Sequence, residues 1–147
     1  SAVVVGRFEA SIVDDVRVAF FVPGVVYMAD AVGTQTEALV IRGMSVGASM
    51  RRAFRLEVLT GAAMGLLVGA CAFVGVWWVL GSLRLAGVVA LSLVAACGVA
   101  TVVAMLLPWG MARFGRDPAF GSGPLATVVQ DLLSLVIYFA AAFALLG

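Results

Sequence analysis

Two runs of this 147-residue chain carry no charge, and a third carries one. Val58 to Leu83 lie uncharged between Glu57 and Arg84, and Leu85 to Ala112 between Arg84 and Arg113. Pro118 to Gly147 hold only Asp131. Each run exceeds the ~20 residues that carry an α-helix across a bilayer. A fourth stretch, Val18 to Ile41, is apolar in its first half but contains Asp30, Glu37 and Pro23. A proline inside a helix removes one backbone hydrogen bond, so this stretch reads as a broken spanning helix rather than a buried soluble one. The pattern predicts an all-α integral membrane bundle with spans at roughly 11–41, 53–82, 84–112 and 119–146. Ser1 to Gly6 read as the tail of a preceding first span, so the chain is expected to be a piece of a larger protein.

Composition agrees. Hydrophobic residues make up 64% and charged residues 12%, against about a quarter charged in a soluble domain. All nine basic residues are arginines, and there is no Lys, His or Asn. Without histidine the chain lacks the commonest general base and transition-metal ligand. With no paired-aspartate protease motif either, an intramembrane enzyme is not expected. A net charge of +1 gives no nucleic-acid footprint.

The arginines orient the bundle. Arg42, Arg51, Arg52, Arg55, Arg113 and Arg116 fall on one side, and Arg7, Arg17 and Arg84 on the other. The richer side is expected to face the cytoplasm, which leaves the C-terminus outside. Ser11 with Asp14 resembles a helix-start box, and Asp117-Pro118 an N-cap followed by proline at the first helical position. Gly121 to Pro124 suggest a kinked or unwound entry to the last span. Gly61, Gly65 and Gly69 repeat on one helical face, the spacing of close helix packing. Trp77, Trp78 and Trp109 sit at span ends, as interface anchors do. Cys71 and Cys97, with no histidine or carboxylate beside them, read as inert thiols.

Function is expected where polar groups enter the apolar runs. Asp131 sits a third of the way into its span, where a carboxylate costs roughly 2.5–3.5 kcal/mol on insertion scales. Thr127, Asp131, Ser134 and Tyr138 share one helical stripe, bordered by Gln130. The plain alternative is an ion pair with an arginine, but no arginine lies deep in any span, which favours a cation path. Tyr27, Asp30, Thr34 and Glu37 form a second stripe on the broken span, and Pro23 frees the Ala19 carbonyl. For Glu37 the plain alternative is pairing with Arg42. Oxygen donors alone suit a hard cation, and Mg²⁺, which sheds water reluctantly, can be held through its waters by few carboxylates. The candidate metal-site residues are therefore Asp131, Asp30, Thr127, Ser134, Thr34 and Glu37. One Asp131 is thin for a divalent ion, and a two-fold axis would supply a second, so a homodimer is expected.

The stretch Phe21-Val-Pro-Gly to Met28, then Gly33-Thr34-Gln35 and Arg42-Gly43, resembles the second membrane helix of the MgtE magnesium transporters. The segment Phe114-Gly-Arg-Asp117-Pro118-Ala, with Ser122-Gly-Pro124-Leu and Thr127 to Asp131, is similar to that family's last loop and fifth helix. Phe8-Glu9 resembles the end of its first-helix connection. The resemblance implies a homodimer of five-helix protomers with the ion path between them. It implies that the aspartate at Asp131 lines the pore and helps to bind hydrated Mg²⁺. It also implies soluble regulatory domains that this chain does not contain. The family's Gly-Gly-Asn-Ala is here Ala29, Asp30, Ala31 and Val32. That extra carboxylate opens the site to Mn²⁺, Co²⁺ or Ca²⁺, or to coupling with a second ion.

The expected function is channel-like Mg²⁺ transport by a homodimeric pore in a bacterial cytoplasmic membrane. The alternatives are a Na⁺- or H⁺-coupled exchanger or exporter of divalent cations, which the pair Asp30 and Asp131 would permit, and a non-transporting scaffold subunit.

Overall fold

A computed structural model describes residues 16–47, 50–119 and 122–146, with only the backbone of residues 50–52. The remnant at Ser1 to Gly6, the Ser11–Asp14 box and Phe8-Glu9 lie outside the described residues. Four helices follow in order: α1 (Val16–Ser45), α2 (Met50–Leu80), α3 (Leu83–Arg113) and α4 (Ser122–Leu146). All four are long and apolar enough to cross a membrane.

α1 runs without interruption through Pro23, and α3 through Pro108. The expected break at Pro23 is therefore absent from the backbone trace. Neighbouring helices hold such a helix together in a bilayer even where one backbone bond is missing.

The connections are short, and their glycines are the reason. α2 stops at Gly81, whose φ of 65° is a left-handed conformation that side chains disfavour. Ser82 then caps α3 at once, accepting from the Leu85 N–H at 3.3 Å. At the far end of α3, Gly115 (φ 71°) lets its own N–H reach the Ala112 carbonyl at 3.1 Å, and lets the Arg116 N–H reach that of Met111 at 3.0 Å. That paired closure satisfies two carbonyls that would otherwise be orphaned. Asp117, expected as the N-cap of the last span, instead caps a turn: its carboxylate accepts from the Ala119 N–H at 2.9 Å. The helix starts later, at Ser122, with Gly123 and Pro124 inside its first turn, where proline costs no hydrogen bond.

α3 is the hub. Its buried positions, from Leu85 and Ala86 through Leu93, Ala96 and Cys97 to Ala104 and Met105, run round much of its circumference. α1, α2 and α4 all pack on it. Small residues set the α2–α3 distance: a Cβ on Gly69 would stand 3.0 Å from both the Ala90 carbonyl and a Val94 methyl. One on Gly65 would stand 3.3 Å from the Val94 backbone, and one on Gly61 would collide with the Thr101 side chain. α1 and α2 touch little, and an apolar groove of about 680 Å³ opens between them.

Several hydroxyls inside the spans are satisfied within their own helices. Ser92 donates to the Val88 carbonyl at 2.6 Å, Thr101 to Cys97 at 2.9 Å and Thr60 to Leu56 at 2.9 Å. Trp78 projects outward near the end of α2, 85% exposed, as an interface anchor would. The two cysteines are unpaired, Cys71 exposed and Cys97 buried.

The glycine stripe makes a direct prediction. Gly69→Val should lower stability by about 1–3 kcal/mol, because the Ala90 backbone cannot move aside. Gly75→Val, with nothing within 4 Å of the new Cβ, should stay within about 0.5 kcal/mol of the parent. Thermal unfolding in detergent, followed by tryptophan fluorescence, checks the contrast. Equal losses at both positions would remove close packing as the role of the stripe.

Candidate functional site at the α1–α4 seam

α1 meets α4 along a stripe of small and polar residues. On α4 the buried positions Ser122, Ala126, Gln130, Ser134 and Tyr138 recur every four residues. On α1 they are Val18, Val25, Ala29, Gly33, Thr36, Glu37 and Val40. Both sets keep to one helical face. Three polar contacts cross the bundle from this stripe, at three levels.

Near the start of α4, Ser122 donates its hydroxyl to the Glu37 carboxylate, and the same hydroxyl lies 2.6 Å from the Pro118 carbonyl. Glu37 is only 5% exposed, so it is a seam residue engaged with α4. Near the other end, Tyr138 is fully buried and donates to the Val18 carbonyl at 2.7 Å. The carbonyl that it reaches is next to Ala19, whose usual helical donor is lost to Pro23.

The middle level holds Gln130, only 1% exposed. Its amide nitrogen donates to the Ala100 carbonyl of α3 at 3.3 Å. A carbonyl can only accept, so the nitrogen must face Ala100 and the oxygen must point away from it. The amide rests on the backbone of Gly33, where any Cβ would collide with it. Gly33 thus makes room for Gln130, and Gln130 ties α1, α3 and α4 together. Its Oε1 is buried and has no partner among the described residues. The same holds for Oδ1 of Asp30, one helical turn before Gly33. A stranded buried acceptor costs roughly 1–3 kcal/mol.

The two aspartates flank this level. Asp30 and Asp131 are both half-buried, and Asp30 is an electrostatic neighbour of Asp131. Like charges side by side in a span are costly unless a cation lies with them. Thr127 is half-buried beside Asp131, while Ser134 turns into the buried seam. Thr34 is exposed, its hydroxyl donating to the Asp30 carbonyl at 2.9 Å and lying 3.2 Å from that of Ala31. Tyr27 is exposed as well. The seam therefore sets Asp30 and Asp131 near enough to feel each other's charge. Glu37 sits two turns along α1, and Thr34 bonds its own helix. Among the described residues no three Asp, Glu, His or Cys side chains gather around one point. The large groove between α1 and α2 is lined by Phe20, Val25, Met28, Val68 and Ala72 and offers an ion nothing.

Gln130 is placed by sequence reasoning only at the border of the Asp131 stripe and not among the site residues. Its signal was the four-residue spacing Ser122, Ala126, Gln130, Ser134 and Tyr138, which marks a packed face with one long polar member.

The described residues thus form a bundle of helices long and apolar enough to cross a membrane, with two carboxylates beside a polar seam. Residues 22–141 match the sequence model of the MgtE family, described as divalent cation transporters. The chain therefore belongs to the MgtE family. The magnesium transporter MgtE of Bacillus subtilis is 36% identical over 152 residues, covering 98% of this chain and 33% of the relative. That of Enterococcus faecalis is 31% identical, covering 95% of this chain and 32% of the relative. That of Thermus thermophilus is 32% identical, again covering 95% and 32%. The chain spans about a third of the length of these relatives.

The seating of Gln130 on Gly33 is testable by a double-mutant cycle. Gly33→Ala should destabilise by about 1–3 kcal/mol through overpacking. Combined with Gln130→Ala, it should cost clearly less than the sum of the single losses, since the clash has gone. Unfolding of the four proteins in detergent measures this. Strict additivity would mean that the two residues do not meet.

Proposed function

We propose that this chain is an ion-conducting transmembrane domain that carries a divalent cation, Mg²⁺ first, through a channel-like pore between two copies. The observation that carries the reading is the pair Asp30 and Asp131, two half-buried carboxylates on packed helices that feel each other's charge. Family membership supports the substrate class, since the curated relatives are named magnesium transporters. Oxygen-only donors suit Mg²⁺, which keeps most of its water and needs few direct ligands.

Asp131 is the principal ion-binding residue in this reading. Thr127, Ser134, Thr34 and Glu37 supply further oxygens along the path, and Asp30 a second negative group. Because one protomer offers so few carboxylates, a two-fold axis bringing two Asp131 side chains to a shared path completes the site. The arginine bias supports connections after α1 and α3 on the cytoplasmic side and a C-terminus outside, in a bacterial inner membrane. Mn²⁺, Co²⁺ and Ca²⁺ are further candidate ions. Coupling to Na⁺ or H⁺ is the second reading, because the Asp30–Asp131 pair could exchange one occupant for another.

In proteoliposomes with a Mg²⁺-sensitive dye inside, Asp131→Ala should bring uptake down to that of protein-free vesicles, with folding and insertion intact. Asp131→Asn separates loss of charge from loss of volume and should also be severely impaired. Wild-type rates in both variants would end the assignment. Uptake that requires an imposed Na⁺ or pH gradient would favour the exchanger, and none in folded protein the scaffold.

The dimer has its own test. In lipid nanodiscs the protein mass should be twice that of the 15.1 kDa chain. A purely monomeric particle that still conducts would remove the two-fold site.

A further inference from the structure

We propose that Asp30 and the side-chain carbonyl of Gln130 form a seat for a partly dehydrated divalent cation within a single protomer. The seat is distinct from the hydrated-ion site at Asp131, and it deepens the transport reading, on which it rests, by giving the same path a second station.

Three observations converge on it. Gln130 is only 1% exposed and its amide orientation is determined, because the nitrogen must face the Ala100 carbonyl. Its oxygen is therefore left without a donor, in an amide group that lies flat against α1 at Gly33. Asp30 stands three residues before Gly33 on the same helical face, and its buried Oδ1 also lacks a donor. The hydroxyl of Thr34, one turn beyond Asp30 on α1, is engaged with the backbone of its own helix. Two buried acceptors on packed helices, neither with a donor among the described residues, call for a positive group that accepts electron pairs from both. A metal cation does this, and it also relieves the repulsion between Asp30 and Asp131, which neighbours Gln130 in sequence.

The ligand chemistry selects the ion. A carboxylate oxygen and an amide oxygen are hard donors suited to Mn²⁺, Ca²⁺ and Mg²⁺. Direct contact with both requires the ion to give up water, which Mg²⁺ does reluctantly and Ca²⁺, with its loose geometry, does readily. A seat of this kind favours Mn²⁺ and Ca²⁺ over Mg²⁺. Asp30 takes the place of a glycine in the family pattern, so the seat is a property of this chain and not of that pattern.

The test measures binding separately from flux. The purified chain in detergent is titrated with Mn²⁺, and free ion is read from its electron paramagnetic resonance signal. Outer-shell partners alone are typically worth 10–100-fold in metal affinity, so losing a direct ligand should weaken Mn²⁺ binding by at least about tenfold. That loss is expected in Asp30→Asn, in Asp30→Gly and in Gln130→Met. The same variants should lose the ability of Mn²⁺ and Ca²⁺ to compete with Mg²⁺ uptake in proteoliposomes. Should Gln130→Met fail to fold, Gln130→Ala takes its place, and the Asp30 variants decide the carboxylate independently. Wild-type Mn²⁺ affinity in the Asp30 variants overturns the seat, and so does dependence on Asp30 without dependence on Gln130. Mg²⁺ uptake that needs Asp131, alongside Mn²⁺ binding indifferent to Asp30, overturns the seat and leaves transport standing. Mn²⁺ binding that needs both residues, in protein without flux, keeps the seat and removes transport.

Discussion

A bilayer offers no water to a stranded donor or acceptor, and this one constraint organises the chain. Hydroxyls at Thr60, Ser92 and Thr101 turn back to the carbonyl four residues earlier. Helix ends close on their own backbone, through Gly81 and Gly115. Polar side chains that cannot be satisfied locally are sent across the bundle: Ser122 to Glu37, Gln130 to Ala100 and Tyr138 to Val18. These cross-links run from α4 to the helices around it and hold it where hydrophobic packing has little to add, since lipid tails are as apolar as leucine.

Close approach is what makes the cross-links reachable. Gly33 lets the Gln130 amide lie on α1, and the glycines of α2 let that helix sit on α3. The same geometry produces the exception. Once Gln130 gives its nitrogen to α3, its oxygen has nowhere to turn, and Asp30 brings another unpartnered oxygen to the same seam. Departures from full satisfaction in a membrane concentrate where a polar ligand passes, because an ion repays what a fixed partner would. Gln130 fastens to α3 the helix that carries Asp131.

The Pro23 helix shows how a correct local argument can be overruled. Proline does remove a backbone bond, but α1 is supported by α3 and α4 along its length and continues to Ser45. Asp117 makes the complementary point. It is a good cap, and the chain uses it to cap a turn, because the residues between it and Ser122 are needed to carry the chain from α3 to α4.

By itself the sequence determined that the protein is helical and apolar enough to span a membrane. Charge-free runs longer than the bilayer is thick leave no other solution. It also singled out Asp131 and Asp30, because a carboxylate in such a run is too costly to be incidental. Tertiary structure alone decided which polar groups meet. Helical periodicity places Thr127, Asp131, Ser134 and Tyr138 on one stripe, yet packing buries Ser134 and Tyr138 and leaves Thr127 and Asp131 at its edge. It gave Glu37 a serine partner on another helix, 85 residues away. It also brought Gln130 against Gly33, and Asp30 beside Asp131. Those pairings depend on how helices rotate about their axes and how closely they approach. Contacts between residues far apart in the chain fix both, and no periodicity within one segment can state them.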